Sequence, residues 1–309
     1  IGGDINIAAD PDTGTPAALM VPSGQINLVS VTSPGEILFP SLNTGPNING
    51  QTFTTMGTVN LTGGSVLDVS DSLLEGDGHG GSIRIRGGQF VLDTSAMLAF
   101  TAGDVDGATT GISIAMQDDV TLRNLSVIAS NTFGLGRAGD IEIAARNIDV
   151  QGGSVIFTGS AADAQAGQAG NISLVASESV TVSGTDEFGG PSGILSQASP
   201  NTPDSRGDSG SILIQAPSVT LNDGGMIFTS ATAIGRAGDI TLDVTNLSIL
   251  GGGEVGTVGA GLDSSSGNVT IRAADTVTIS GQLNPDTLSK IRNRVDGLNL
   301  GTQGDVSIT

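Results

Sequence analysis

Carboxylates are the reactive groups this sequence supplies in quantity: 31 acidic residues stand against 11 basic ones, a single histidine and no cysteine. Asp118-Asp119, Asp104 with Asp106, and Asp186-Glu187 are available as paired carboxylates for acid and base work. Glycan cleavage needs two carboxyl groups flanking one bond, so the enzymatic alternative is a secreted polysaccharide lyase or hydrolase. Sugar grooves usually add aromatic platforms, and basic residues where the substrate is a uronate. This chain has no Trp, no Tyr and one Lys, which sets catalysis aside as the main reading.

The same acids bear on metal. Asp10 with Asp12, Asp71 with Glu75 and Asp77, and Asp104 with Asp106 place oxygen ligands at turns, enough for weak surface Ca2+. None completes an EF-hand loop or a Gly-Gly-x-Gly-x-Asp nonapeptide, so no cofactor is expected. His79, in Glu75-Gly76-Asp77-Gly78-His79-Gly80-Gly81, has no second His or Cys with which to share zinc. A Ser-His-Asp triad would have to use this one imidazole, and no nucleophile elbow accompanies it. One adhesive motif stands out, Arg206-Gly207-Asp208, the tripeptide that integrins read. Its Gly-Asp-Ser-Gly context also begins the next repeat, so a structural role competes with the adhesive one.

The formal net charge of −20 opposes binding to nucleic acid or to anionic membrane, since both need clustered Lys and Arg. No apolar run approaches the ~20 residues that span a bilayer. Only 8 aromatic residues, all Phe, and 48 glycines predict a narrow aliphatic core. The absence of cysteine suits a chain that crosses an outer membrane unfolded.

What must position these side chains is a repeat. Gly-[Asp/Asn/Ser/Gln]-[Ile/Val]-x-[Ile/Leu] starts at Gly3, Gly24, Gly81, Gly139, Gly170, Gly210, Gly238, Gly267 and Gly304, with a variant at Thr110-Gly111-Ile112-Ser113-Ile114. The usual spacing is about 28–31 residues. The interval of 57 from Gly24 to Gly81 suggests two periods with a degenerate coil near Thr52. Each period holds three short apolar runs, as in Ile141-Glu142-Ile143, Ile148-Asp149-Val150 and Val155-Ile156-Phe157-Thr158. Alternation bounded by glycine is the strand signal, and self-similarity at this period signals a solenoid.

These features predict an all-β parallel β-helix with three short strands per coil and about ten coils, filling residues 1–309 as one domain. Like residues then stack into internal ladders. The first inward ladder includes Ile83, Ile112, Ile141, Ile172, Ile212, Ile240 and Val269. The second includes Ile85, Ile114, Ile143, Leu174, Ile214, Leu242 and Ile271. Ile5 and Ile7 are expected to head these two ladders, and the corner glycines to supply positive φ.

Departures from the repeat predict surface loops at 39–56, 184–193 and 199–209. A short helix is expected over 285–295, where Asn284 can cap, Pro285 suits the first turn, and Leu288, Ile291 and Val295 share a face.

Gly-Arg-Ala-Gly-Asp-Ile at 136–141 and 235–240, and Asn147-Ile148-Asp149-Val150-Gln151-Gly152-Gly153-Ser154, resemble the large exoproteins of the filamentous haemagglutinin family. So does the segment from Val21 to Glu36, which is similar to the stretch following that family's secretion domain. The resemblance covers nearly the whole chain in pattern. It implies two-partner secretion through an outer-membrane barrel, folding outside the cell as a right-handed β-helix, and service as an extracellular or cell-surface shaft. Partners would then be the secretion barrel, and a glycan, host or neighbouring-cell surface. End-to-end self-association into a filament or matrix is a further expectation, since the motif begins at Gly3 and its last copy, at Gly304, stops after one strand.

Overall fold

The computed structural model describes residues 2–35, 53–71, 78–161, 167–199, 206–232, 234–261, 263–296 and 301–309. These residues are all-β, and successive turns of the chain lay their strands in parallel on the preceding turn, as in a parallel β-helix. The first and second runs belong to one 13-stranded sheet and the third runs to a 9-stranded sheet, close to the expected number of coils. From Asp140 onward the first two runs merge into long bent strands: Asp140–Gln151, Ile172–Ser183, Ile212–Asn222, Ile240–Leu250 and Val269–Ser280. Their register slips at the bend, for example between Ala145 and Asn147.

The ladders stack as like on like. Ile83, Ile112, Ile141, Ile172, Ile212, Ile240 and Val269 are successive partners, as are Ile85, Ile114, Ile143, Leu174, Ile214, Leu242 and Ile271. Each is at most 1% exposed. Burying such a side chain contributes roughly 1.5–3 kcal/mol, so the ladders dominate cohesion.

Three expectations need correcting. Ile5 and Ile7 pair with Val59 and Leu61, which pair in turn with Phe90 and Leu92. They therefore head the second-run ladder, not the first. Ile26 pairs directly with Ile83, so no degenerate coil intervenes: the long interval is one coil carrying an insertion. That insertion leaves after Gln25–Val29 and is pinned by an antiparallel bridge between Val31 and Met56, with Phe53 buried against Val29. Residues 36–52, including Thr52, lie outside the described set.

The third correction removes the helix at 285–295. Gln282–Asn284 and Thr287–Leu288 form a small antiparallel hairpin, and Lys290–Val295 is the ninth strand of the third-run sheet, in register with Glu254–Gly259. Ile291 packs on the core, while Lys290 and Arg292 both pair with Glu254, at 3.1 and 2.7 Å. Ladder hydrogen bonds and this ion cluster outweigh a weak local helical pattern.

The motif glycine proves to be a close-approach residue. It lacks positive φ, yet a Cβ on Gly170 would be driven into the carbonyl oxygen of Gly139, and one on Gly210 into that of Gly170. The same column continues through Gly238, Gly267 and Gly304. Positive φ is found instead at the corner before the third run, as at Gly152 and Gly153. Gly170→Ala is therefore expected to cost about 3 kcal/mol or more, whereas Gly3→Ala, with nothing within 4 Å of its Cβ, should be silent. Urea midpoints of the two variants measure the difference.

Candidate functional site

The residue after the motif glycine is polar in nearly every copy, and its side chain has one job from Asp140 onward. Asp140 Oδ1 accepts the Asn171 N–H at 2.7 Å, Asn171 Oδ1 the Ser211 N–H at 3.0 Å, and Ser211 Oγ the Asp239 N–H at 3.2 Å. Asp239 Oδ1 then accepts from Asn268 N at 2.7 Å, and Asn268 Oδ1 from Asp305 N at 2.9 Å. Each coil thus offers a side-chain acceptor to the backbone of the next. The arginine of Gly-Arg-Ala-Gly-Asp completes the motif: Arg137 donates to Asp140 Oδ1 at 2.6 Å, and Arg236 does the same to Asp239.

A second column closes each coil from the third run. Ser130, Thr158, Ser196, Thr229 and Thr257 are fully buried and in register. Ser196 Oγ accepts the Gly210 N–H at 2.8 Å, Thr229 Oγ1 donates to the Gly238 carbonyl at 2.7 Å, and Thr257 Oγ1 accepts the Gly267 N–H at 2.8 Å. The partner each time is the motif glycine that begins the following coil. Buried hydroxyls are tolerated because each is satisfied.

In each candidate catalytic pair one carboxylate is engaged in hydrogen bonds. Asp119 takes the Arg146 guanidinium at 3.2 Å and the Asn147 amide at 2.9 Å, while Asp118 lies 3.9 Å from Arg146. Asp106 Oδ1 accepts the Arg137 N–H at 2.8 Å. Asp186 Oδ1 accepts from Phe188 N at 2.8 Å and Gly190 N at 2.7 Å, folding the 184–193 insertion into a tight turn with Phe188 fully displayed. Asp10 Oδ1 accepts from Thr13 N, Thr13 Oγ1 and Asp12 N, and the Thr13 amide above all holds its carboxyl below the usual range. Asp71 is buried, with Ser23 Oγ donating to Oδ1 at 3.1 Å and Oδ2 unpartnered. His79 is half-buried nearby, whereas Glu75 and Asp77 lie outside the described residues. No group of three or more His, Asp or Glu able to hold a metal occurs among the described residues.

Arg206-Gly207-Asp208 is built into the stack. Arg206 is exposed and bridges to Ile234, Gly207 is buried, and Asp208 Oδ1 accepts the Arg236 N–H at 2.7 Å. The Asp carboxylate that an integrin would need is thus partly committed to the neighbouring coil. Residues 200–205 of the expected loop are outside the described set.

Two polar features escaped the sequence reading. Arg86 is half-buried over a shallow depression of about 300 Å³ lined by Ser113, Glu142 and Ser173. It donates to the Ile85 and Ser113 carbonyls at 2.8 and 3.0 Å, and burial lowers its pKa. Glu254 is almost fully buried between Lys290 and Arg292, and Arg292 lies 5.2 Å over the Phe228 ring. Aligning 290–295 as a third run would have revealed this cluster.

No protein-family model, no curated protein and no solved structure matches the chain. The likeness to filamentous haemagglutinin-type exoproteins therefore rests on the repeat motifs themselves.

Asp149 supplies a pH test. Burial raises its carboxyl above the ordinary 3.8, only partly offset by the hydrogen bond with Thr181, and Asp119 raises it further. The folded state then holds this proton more tightly than the unfolded chain, so stability attributable to Asp149 increases as pH falls through the raised folded value. Asp149→Asn should raise Tm at pH 7, with the gain fading as pH falls toward 4. A thermal series across pH 4–8 measures this.

Proposed function

We propose that this chain is a non-catalytic extracellular shaft, exported through an outer-membrane barrel and acting in adhesion or as a fibre at the bacterial surface. One observation carries the reading: the most repeated reactive groups of the sequence, the motif carboxylates and amides, are consumed in coil-to-coil bonds. A catalytic scaffold leaves such groups facing a cleft, whereas Asp140, Asn171, Asp239 and Asn268 face the backbone of the next coil. The second support is continuity. The first-run ladder proceeds from Ile26 to Val306 through every intervening coil, giving a stiff element able to hold a binding end at a distance.

The matching experiment has two arms. Purified chain should show no release of reducing ends or unsaturated uronates from a panel of acidic and neutral polysaccharides, and beads coated with it should be retained on a cell or matrix surface. Polysaccharide turnover that disappears in Asp119→Asn would overturn the non-catalytic reading. Electron microscopy separates the two forms of shaft: single short rods for an adhesin, and rods in multiples of one length for end-to-end assembly.

A further inference from the structure

The outer face of the third-run sheet is unlike the rest of the surface. In this sheet Ile156, Thr158 and their ladder partners point inward, so Val155, Phe157 and their partners point out. The outward positions form two main columns. One runs through Val66, Ala96, Val127, Val155 and Met226, and the other through Leu98, Ala129, Phe157, Leu195 and Phe228. In a chain with 31 acidic residues, no charged group points outward from these strands between Asp68 and Glu254.

The sequence agrees: Val155-Ile156-Phe157 and Met226-Ile227-Phe228 are apolar at successive positions. That is the pattern of strands covered on both faces, not of a sheet with one wet side. Yet besides this sheet and the 13-stranded one the described residues form only two 2-stranded sheets. Ala129 and Phe228 are buried within the chain, Phe228 under Arg292, while Leu98, Phe157 and Leu195 stay part-exposed. Two buried polar atoms without hydrogen-bond partners, Asn131 Oδ1 and Arg292 Nε, also lie on it.

The face is polarised along its length. Asp68 lies near one end, and Lys290, Arg292 and Arg294 lie at the other, where Glu254 pairs with the first two and Asp296 with the third, leaving three cations against two carboxylates. The outward column is nine residues deep, and Phe157 is its midpoint. We propose that a second copy of this chain covers this face, antiparallel to the first, about a two-fold axis passing at Phe157. That axis sets Phe157 against its equivalent, Ala129 opposite Leu195, and Leu98 opposite Phe228. It also sets Asp68 opposite Gly256, beside Arg292. Leu195 meets the small Ala129, Leu98 meets Phe228 as large on large, and the acidic end meets the basic end.

The dimensions suffice. Nine strands at ~4.8 Å spacing, up to six residues wide at ~3.3 Å, give a face of roughly 700 Å², near the ~800 Å² per partner of a stable interface. Two such faces pack as sheet on sheet. This pairing is lateral and independent of whether the chain serves as an adhesin or a fibre.

Sedimentation equilibrium at 0.15 M NaCl and tens of micromolar protein should give twice the chain mass. Phe157→Glu, at an outward position that leaves the core ladders intact, should weaken association at least ten-fold with an unchanged far-UV circular dichroism spectrum. Because the chain is cysteine-free, single cysteines test the axis even if that variant folds poorly. Phe157→Cys should form a disulfide dimer with mild oxidant. Leu98→Cys should not crosslink to itself but should do so to Phe228→Cys in a mixture. Thr220→Cys, on the opposite sheet, should stay monomeric. A wild-type monomer at 100 micromolar, crosslinking of Phe157→Cys no faster than of Thr220→Cys, or self-crosslinking of Leu98→Cys would overturn the proposal.

Discussion

The distance between successive coils at the motif glycine governs this structure. Parallel strands stack ~4.8 Å apart, and at Gly170 or Gly210 the backbone of one coil touches the backbone of the previous one so closely that no Cβ fits. This contact brings the neighbouring amide within reach of a short side chain. Asp, Asn and Ser have that reach, and Asp140, Asn171 and Ser211 use it. The aliphatic ladders stay in register because the backbone beside them is fixed by contact and hydrogen bond together.

The coil is held at three places by different chemistry. The bend between the first two runs is a continuous strand with a local register slip, as at Ala145 and Asn147. The corner before the third run turns on positive-φ glycines and on buried serines such as Ser126, whose hydroxyl donates to the Arg123 carbonyl at 2.7 Å. The last closure uses the hydroxyls of Ser196, Thr229 and Thr257. Putting polar groups at the core margin costs desolvation. At this seam the motif glycine of the following coil offsets that cost by supplying an N–H or C=O within 2.8 Å.

Much of the fold was legible because the inward positions repeat with so little variation. Isoleucine or valine at Ile83, Ile112, Ile141, Ile172, Ile212, Ile240 and Val269 leaves little choice of register. The errors came where local pattern could not say which ladder a strand joins. Gly3-Asp4-Ile5-Asn6-Ile7 reads as a first run, yet Ile5 pairs with Val59, and the insertion after Val29 has the length of a degenerate coil. Leu288, Ile291 and Val295 fit a helical face, whereas Lys290–Val295 also alternates as a strand, and Glu254, 36 residues earlier, decides between them. The roles of the motif carboxylates were not legible, because spacing reveals neither what lies on the adjacent coil nor how near it approaches.

The acceptor column also has a direction in time. Asp140 accepts from Asn171, Asn171 from Ser211 and Asp239 from Asn268, so the acceptor always precedes its donor along the chain. A coil that has already formed presents the side-chain group that fixes the next one. The molecule can thus be laid down coil upon coil as the polypeptide emerges N-terminus first, each finished turn serving as the mould for its successor.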